Sequence, residues 1–135
     1  DKNIKKIVEA MKKIMKLNNG LGLAANQIGI LKRIFVAEVE NKRLVCINPE
    51  IITLSGTPQV MEEGCLSIPD QWGEVKRYPE VTIKYTDLWN KTRKLKAKGL
   101  LAQVIQHEID HLDGVLFIDK AIKTYSINQE NFINK

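Results

Sequence analysis

The chain contains only two histidines, and both fall within His107-Glu108-Ile109-Asp110-His111. Residues four apart on a helix share a face, so both imidazoles can reach one metal ion while the intervening glutamate is directed toward the same cavity. Such a constellation suits metal-assisted hydrolysis, in which the ion activates a water and the carboxylate moves its proton. Two merely solvated histidines on a helix surface would fit poorly with Val104, Ile105, Ile109 and Leu112, the apolar neighbours of a buried helix.

A catalytic site of this kind needs a third protein ligand and an open position for water. The run continues Leu112-Asp113-Gly114-Val115-Leu116-Phe117. A metzincin protease would carry its third histidine where Phe117 stands, and a phenyl ring cannot ligate. A glutamate ligand on a second helix would have to be Glu130, the only downstream glutamate, in the polar stretch Asn128-Gln129-Glu130-Asn131. The third donor therefore lies upstream. Cys46, inside Leu44-Val45-Cys46-Ile47, reads as a small core residue, whereas Cys65 follows Glu62-Glu63-Gly64 in a polar bend that exposes its side chain. A disulfide between them is disfavoured in an interior protein. One thiolate and two imidazoles bind borderline and soft metals strongly, and they leave a fourth position for a water whose pKa falls to about 7. Cys65, His107 and His111 are thus the candidate ligands, with Glu108 as the acid–base group.

These side chains must be held by the elements around them. Ile4, Ile7, Val8, Met11, Ile14 and Met15 recur at helical spacing with lysines outside, which predicts an N-terminal amphipathic helix stopped by Asn18-Asn19-Gly20. Short β-type runs follow at 33–39, 43–47, 51–54, 81–86 and 92–97, with turns at Asn48-Pro49, Ser55-Gly56 and 87–90. Their meander order predicts antiparallel pairing. A second helix, about 99–113, puts Leu101, Ile105, Ile109 and Leu112 on one stripe and Val104, His107, Glu108 and His111 on the adjacent arc, at about 100° per residue. Asp110 and Asp113 fall on the far side. The expected fold is α+β, with antiparallel sheets packed around a central metal-binding helix. The polar tail from Lys120 reads as one or two further helical turns.

Three stretches resemble the signature motifs of peptide deformylases: Gly20-Leu21-Gly22-Leu23-Ala24-Ala25-Asn26-Gln27, Glu63-Gly64-Cys65-Leu66-Ser67 and Gln106-His107-Glu108-Ile109-Asp110-His111. The likeness continues through Ile47-Asn48-Pro49 and Leu66-Ser67-Ile68-Pro69 and covers nearly the whole chain. It implies the deformylase fold and hydrolysis of the N-formyl group from the initiator methionine of new polypeptides, releasing formate. It further implies that Leu21, Gly22 and Gly64 line an extended substrate, the first two through backbone hydrogen bonds. Gly22 would leave the peptide's approach unobstructed. By the same resemblance, the Gln27 amide and the Leu66 N–H donate to the oxyanion. Leu21, Val104 and His107 would wall a methionine pocket with Gln103 at its polar edge. Asp110 and Glu63 would both hold Arg77. The implied metal is Fe²⁺, with Zn²⁺, Ni²⁺ or Co²⁺ able to occupy the site. The glycines of the first motif could instead suggest a phosphate-cradling loop, but the lysine and Ser/Thr of a P-loop are missing.

Relative to the family pattern the chain starts almost at its first helix and has a short C-terminal tail, so it resembles either a compact, N-terminally short member or a piece of a longer one. Its 135 residues suit a single catalytic domain, 1–135. Neither a membrane-length apolar run nor a signal-peptide core is present, which predicts a cytoplasmic or equivalent interior location. The net charge of +5 arises from lysines scattered along the chain and reads as a solvated surface. The expected partners are formyl-Met nascent peptides, with transient ribosome association favoured by the mild positive field. DNA and membranes are not expected as partners, and the chain reads as a monomer. Competing readings are a zinc endopeptidase, against which Phe117 and the cysteine motif both argue, and a non-catalytic module retaining the fold.

Overall fold

The computed structural model describes residues 2–65, 68–115 and 123–126. Helix α1 (Lys2–Leu17) buries Val8, Met11 and Met15 and turns its lysines to solvent. Its C-terminus closes as the asparagines and glycine predict. Asn19 adopts a left-handed φ of 54°, and the Gly20 and Asn19 N–H groups return to the Met15 and Lys16 carbonyls at 2.9 and 3.1 Å.

Five strands form one antiparallel sheet in the order β1 (Gly22–Ala24), β2 (Ile34–Val39), β3 (Lys42–Ser55), β6 (Glu80–Thr86), β7 (Thr92–Lys98). A second sheet orders β4 (Gln59–Cys65), β5 (Ile68–Arg77) and β8 (Lys123–Ser126), again antiparallel. Helix α2 (Gly99–Leu112) follows β7.

Period-two alternation in β1 and β2 explains how the helices bracket the large sheet. Ile34 and Val36 join Leu23 and the buried face of α1 in one cluster. Phe35, Ala37 and Val39 join Ala24, Val81 and Ile83 against Leu101, Val104, Ile105 and Ile109 of α2 in the other. A strand covered on both faces needs apolar residues at successive positions, hence Ile34-Phe35-Val36-Ala37. Helix α2 is consequently central, as its pattern predicts, and buries Gln106, His107, Glu108 and His111 along with its apolar stripe.

Several expectations are corrected. Asn48-Pro49 is not a turn between strands but a bulge within one 14-residue strand, with pairing to β6 shifting between Ile47 and Glu50. Asn48 takes a φ of 50°, tolerable for asparagine, and a bulge accommodates the missing proline N–H. Strand β1 lies between α1 and the first β-type run, where the residue pattern predicts no strand. Strands β4 and β5, rich in charge, glycine and proline, lack an apolar alternation and are defined by their mutual backbone pairing. In the tail, residues 123–126 pair with β5 as strand β8 instead of extending a helix. The rest of the tail, including Leu116, Phe117 and Glu130, lies outside the described residues.

Ile105 is fully buried where α2 meets β2 and β6. Ile105→Ala should lower unfolding stability by about 2–5 kcal/mol and Ile105→Val by only about 0.5–1.5. Urea denaturation of the two variants checks this.

Candidate metal centre and its supports

Helix α2 presents its two imidazoles edge to face, with ring centroids 4.7 Å apart and planes at 75°. Their Nε2 atoms face each other at 3.1 Å. The Nδ1 of His107 lies 2.7 Å from Oε1 of Glu63. An ionised carboxylate can only accept, so Nδ1 carries a proton and Nε2 is the nitrogen turned toward His111. Two imidazole nitrogens approach so closely only with an electrophile between them, a proton or a metal ion. Nitrogens each about 2.1 Å from one ion would be about 3.0 Å apart at a right-angled bite and about 3.4 Å apart in a tetrahedron. The observed separation falls in that interval, so the pair fits a metal.

Glu63, on β4, is itself held by Arg77 of β5. The guanidinium donates Nε to Oε2 and Nη2 to Oε1, both at 2.7 Å, while Nη1 reaches Oδ2 of Asp110 at 2.5 Å. Arg77 is 2% and Glu63 5% exposed. Burial alone would raise the Glu63 pKa, but the hydrogen bonds and charges of Arg77 and His107 outweigh it and hold the carboxyl at about 2. The anticipated contacts of Arg77 with Asp110 and Glu63 are therefore present, and the link onward from Glu63 to His107 is new. Asp110 is drawn toward the small sheet by Arg77 instead of standing in solvent.

Two motif residues that sequence reading left without a role fasten α2 in place. Gln106 is buried. Its Oε1 accepts the Tyr78 N–H at 3.0 Å, and its Nε2 donates to the Tyr78 and Ala102 carbonyls at 2.8 and 2.9 Å. It thereby pins the backbone next to Arg77 onto the helix. Asn26 donates Nδ2 to the His111 carbonyl at 2.5 Å. A glutamine on the buried arc of a helix could have signalled the first role, whereas nothing local could have signalled a contact spanning 85 positions. Gln103, read as a pocket edge, instead donates to the Glu62 carbonyl at 3.1 Å and to Glu63 at 3.3 Å.

On the opposite side stands the first motif. Gln27 lies within a short 3₁₀ turn (Ala25–Ile28), and its Oε1 accepts the Ala24 N–H at 2.8 Å. A backbone N–H can only donate, so the carboxamide orientation is determined, with its oxygen toward β1. The Leu21 carbonyl accepts the Glu38 N–H at 2.8 Å, in register with the Gly22–Ala37 pairing. By alternation, the N–H and C=O of Gly22 are directed away from β2, off the open edge of the sheet. Leu21 is half-exposed beside them, and Gly64 lies on β4 next to Glu63.

The structure thus brings together His107, His111, Glu108 and Gly22, with Glu63 behind the imidazole pair. The Cys65 side chain and all of Leu66 lie outside the described residues. Among the described residues, no set of three His, Cys, Asp or Glu side chains is arranged to hold an ion.

Because the Glu63 pKa is lowered from 4.5 to about 2 on folding, its contribution to stability is complete above pH 4.5 and is lost as pH falls toward 2. Acid unfolding of Glu63→Gln should show a shallower loss of stability over that window than the parent chain.

Residues 1–126 match the family model of polypeptide deformylases. The peptide deformylase of Thermoanaerobacter pseudethanolicus is 55% identical over 117 residues, which cover 87% of this chain and 73% of that protein. The crystal structure of peptide deformylase from Thermotoga maritima superposes with a TM-score of 0.87 at 42% identity, covering 90% of this chain and 82% of that one. A Met-Ala-Ser-bound peptide deformylase from Acinetobacter baumannii gives 0.86 at 35%, covering 89% and 82%. A metal-dependent hydrolase by its matched sequence and by its α+β fold, the chain belongs to the peptide deformylase family, whose activity is removal of the N-formyl group from new polypeptides.

Proposed function

We propose that deformylation by this chain runs on a metal held by Cys65, His107 and His111, with Glu108 as the proton carrier. The observation that supports the ligand set is the 3.1 Å approach of two Nε2 atoms, one of them on a ring whose other nitrogen is committed to Glu63. When bound, the metal supplies an activated water at neutral pH and polarises the formyl carbonyl. A set of one thiolate and two imidazoles accepts Fe²⁺, Zn²⁺, Ni²⁺ or Co²⁺. We take Fe²⁺ as the working ion.

Glu108 accepts the proton of the attacking water and delivers it to the departing nitrogen, so that formamide and water become formate and a free amine. Gln27 donates its amide to the oxyanion, a role compatible with a carboxamide whose oxygen is already engaged by Ala24. The Leu66 N–H is the second donor. Gly22 and Leu21 on one side and Gly64 on the other hold an extended peptide by strand addition to the open edge of β1. Leu21, Val104 and His107 wall the methionine pocket. The Met-Ala-Ser bound to the Acinetobacter baumannii relative begins with the residue that deformylation of a formyl-Met peptide would expose. Formyl-Met nascent chains are therefore the substrates, met in the cytoplasm by a monomer in transient contact with the ribosome.

Formate release from formyl-Met-Ala-Ser, measured with anaerobically loaded Fe²⁺ beside Zn²⁺, tests the reading. Glu108→Ala should keep its metal and lose at least about 10²-fold in kcat. Undiminished turnover would remove Glu108 from its role. Cys65→Ala should lose most of its bound metal in equilibrium dialysis, and parental metal content would reject the ligand set.

A further inference from the structure

Strand β1 begins with a glycine whose backbone does not require one. The φ of Gly22 lies outside the left-handed region, and glycine inside a strand weakens it. Space is the remaining reason. Alternation turns Leu23 toward α1 and turns Gly22, like Ala24, toward α2. A Cβ placed on Gly22 would lie 2.6 Å from Oε2 of Glu108 and 3.0 Å from both its Cδ and Cγ. Atoms cannot share that volume, so an added methyl must displace one of the two elements or the glutamate.

The strand cannot readily yield. All three of its residues pair with β2, Leu23 and Ala24 are buried in opposite clusters, and the side chain of Gln27 holds the Ala24 N–H. Nor can the helix: Gln106 ties it to Tyr78, Asn26 ties it to the 3₁₀ turn, and Ile105 and Ile109 lie in the core. The movable part is the Glu108 carboxyl.

We infer that Gly22 is a positioning residue for the reaction, its missing side chain being the seat of the Glu108 carboxyl. The same residue directs its N–H and C=O off the open edge. One backbone position thus sets both the line of the peptide and the place of the group that moves the proton. The inference rests on the proposed role of Glu108 as the acid–base group.

The test is a cycle of Gly22→Ala with Glu108→Asp, assayed on formyl-Met-Ala-Ser, with metal content determined for every variant. Gly22→Ala keeps the backbone N–H and C=O, so KM should stay within about twofold while kcat falls on the order of 10- to 100-fold at parental metal content. Glu108→Asp withdraws the carboxyl by one methylene, so adding Gly22→Ala in that background should cost less than about threefold more. Thermal unfolding provides a reading independent of turnover. Gly22→Ala should lower Tm in the parent and leave it unchanged in Glu108→Ala. Equal kcat penalties in both backgrounds, a rise in KM alone, or equal Tm losses with and without the glutamate would overturn the inference. Full turnover by Glu108→Ala alone would instead overturn the acid–base assignment, with the Tm comparison still reporting whether the two residues compete for space.

Discussion

The carboxylate of Glu63 lies between the arginine that neutralises it and the imidazole that it orients, all three almost wholly shielded from water. Removing such charges from water is costly, and in a buried pair the attraction offsets that cost only when geometry and hydrogen bonding are complete. Here both carboxylate oxygens accept from Arg77, and one also faces His107. The remaining guanidinium nitrogen, Nη1, donates to Asp110, three residues after His107 on the same helix. The result is a closed polar circuit between β4, β5 and α2. It fixes which nitrogen of His107 carries its proton and therefore which one can bind a cation. The same strand runs on from Glu63 through Gly64 to Cys65, so the circuit also ties the strand that bears this cysteine to the helix that bears the imidazoles.

The large sheet contributes rigidity in a different way. Strand β2 and the adjoining part of β3 are apolar on both faces, and α1 and α2 cover one face each. A helix packed on so firm a support can hold a glutamate and two histidines in a buried position without a fluctuating backbone to blur their geometry. Both ends of the contact are pinned as well. Gln106 joins the middle of α2 to Tyr78, and Asn26 joins its last turn to the segment that carries Gln27. The His111 carbonyl accepts Asn26 although it already receives the Gly114 N–H at 3.0 Å. That second bond therefore does not complete the helix cap. It docks the 3₁₀ turn onto the helix, so that Gln27 and His111 share one frame.

An open sheet edge is ordinarily a liability, because it invites pairing with other chains. In this fold the edge strand β1 is only three residues long, which limits indiscriminate pairing while leaving enough backbone to register a short peptide. Gly22, whose α2-facing side is occupied by Glu108, directs its N–H and C=O outward from that edge. On the roles proposed for Gly22 and Glu108, recognition of an extended backbone and placement of the proton carrier are adjacent parts of one strand.

The chemistry was legible in the linear chain because it depends on residue type at fixed local spacing. Two histidines at i and i+4 must share a helical face, Glu108 must lie close to it, and apolar residues at three- and four-residue intervals must be buried. The two helices, the long apolar strands and their antiparallel order follow from those periodicities. What the chain alone did not reveal concerns partners distant in sequence. Strands β4 and β5 have no hydrophobic alternation, and β8 pairs across some fifty positions, so their strand character comes from backbone hydrogen bonds supplied by a neighbour. Asn48-Pro49 carries the residues of a turn, yet a bulge absorbs it because β2 and β6 pair on either side. Likewise, only the packed structure determined that Glu63 would orient His107, that Asn26 would reach His111, and that Gly22 would stand against Glu108. Each is a contact between elements far apart in the chain, set by how helix and sheets close on one another and not by any local pattern.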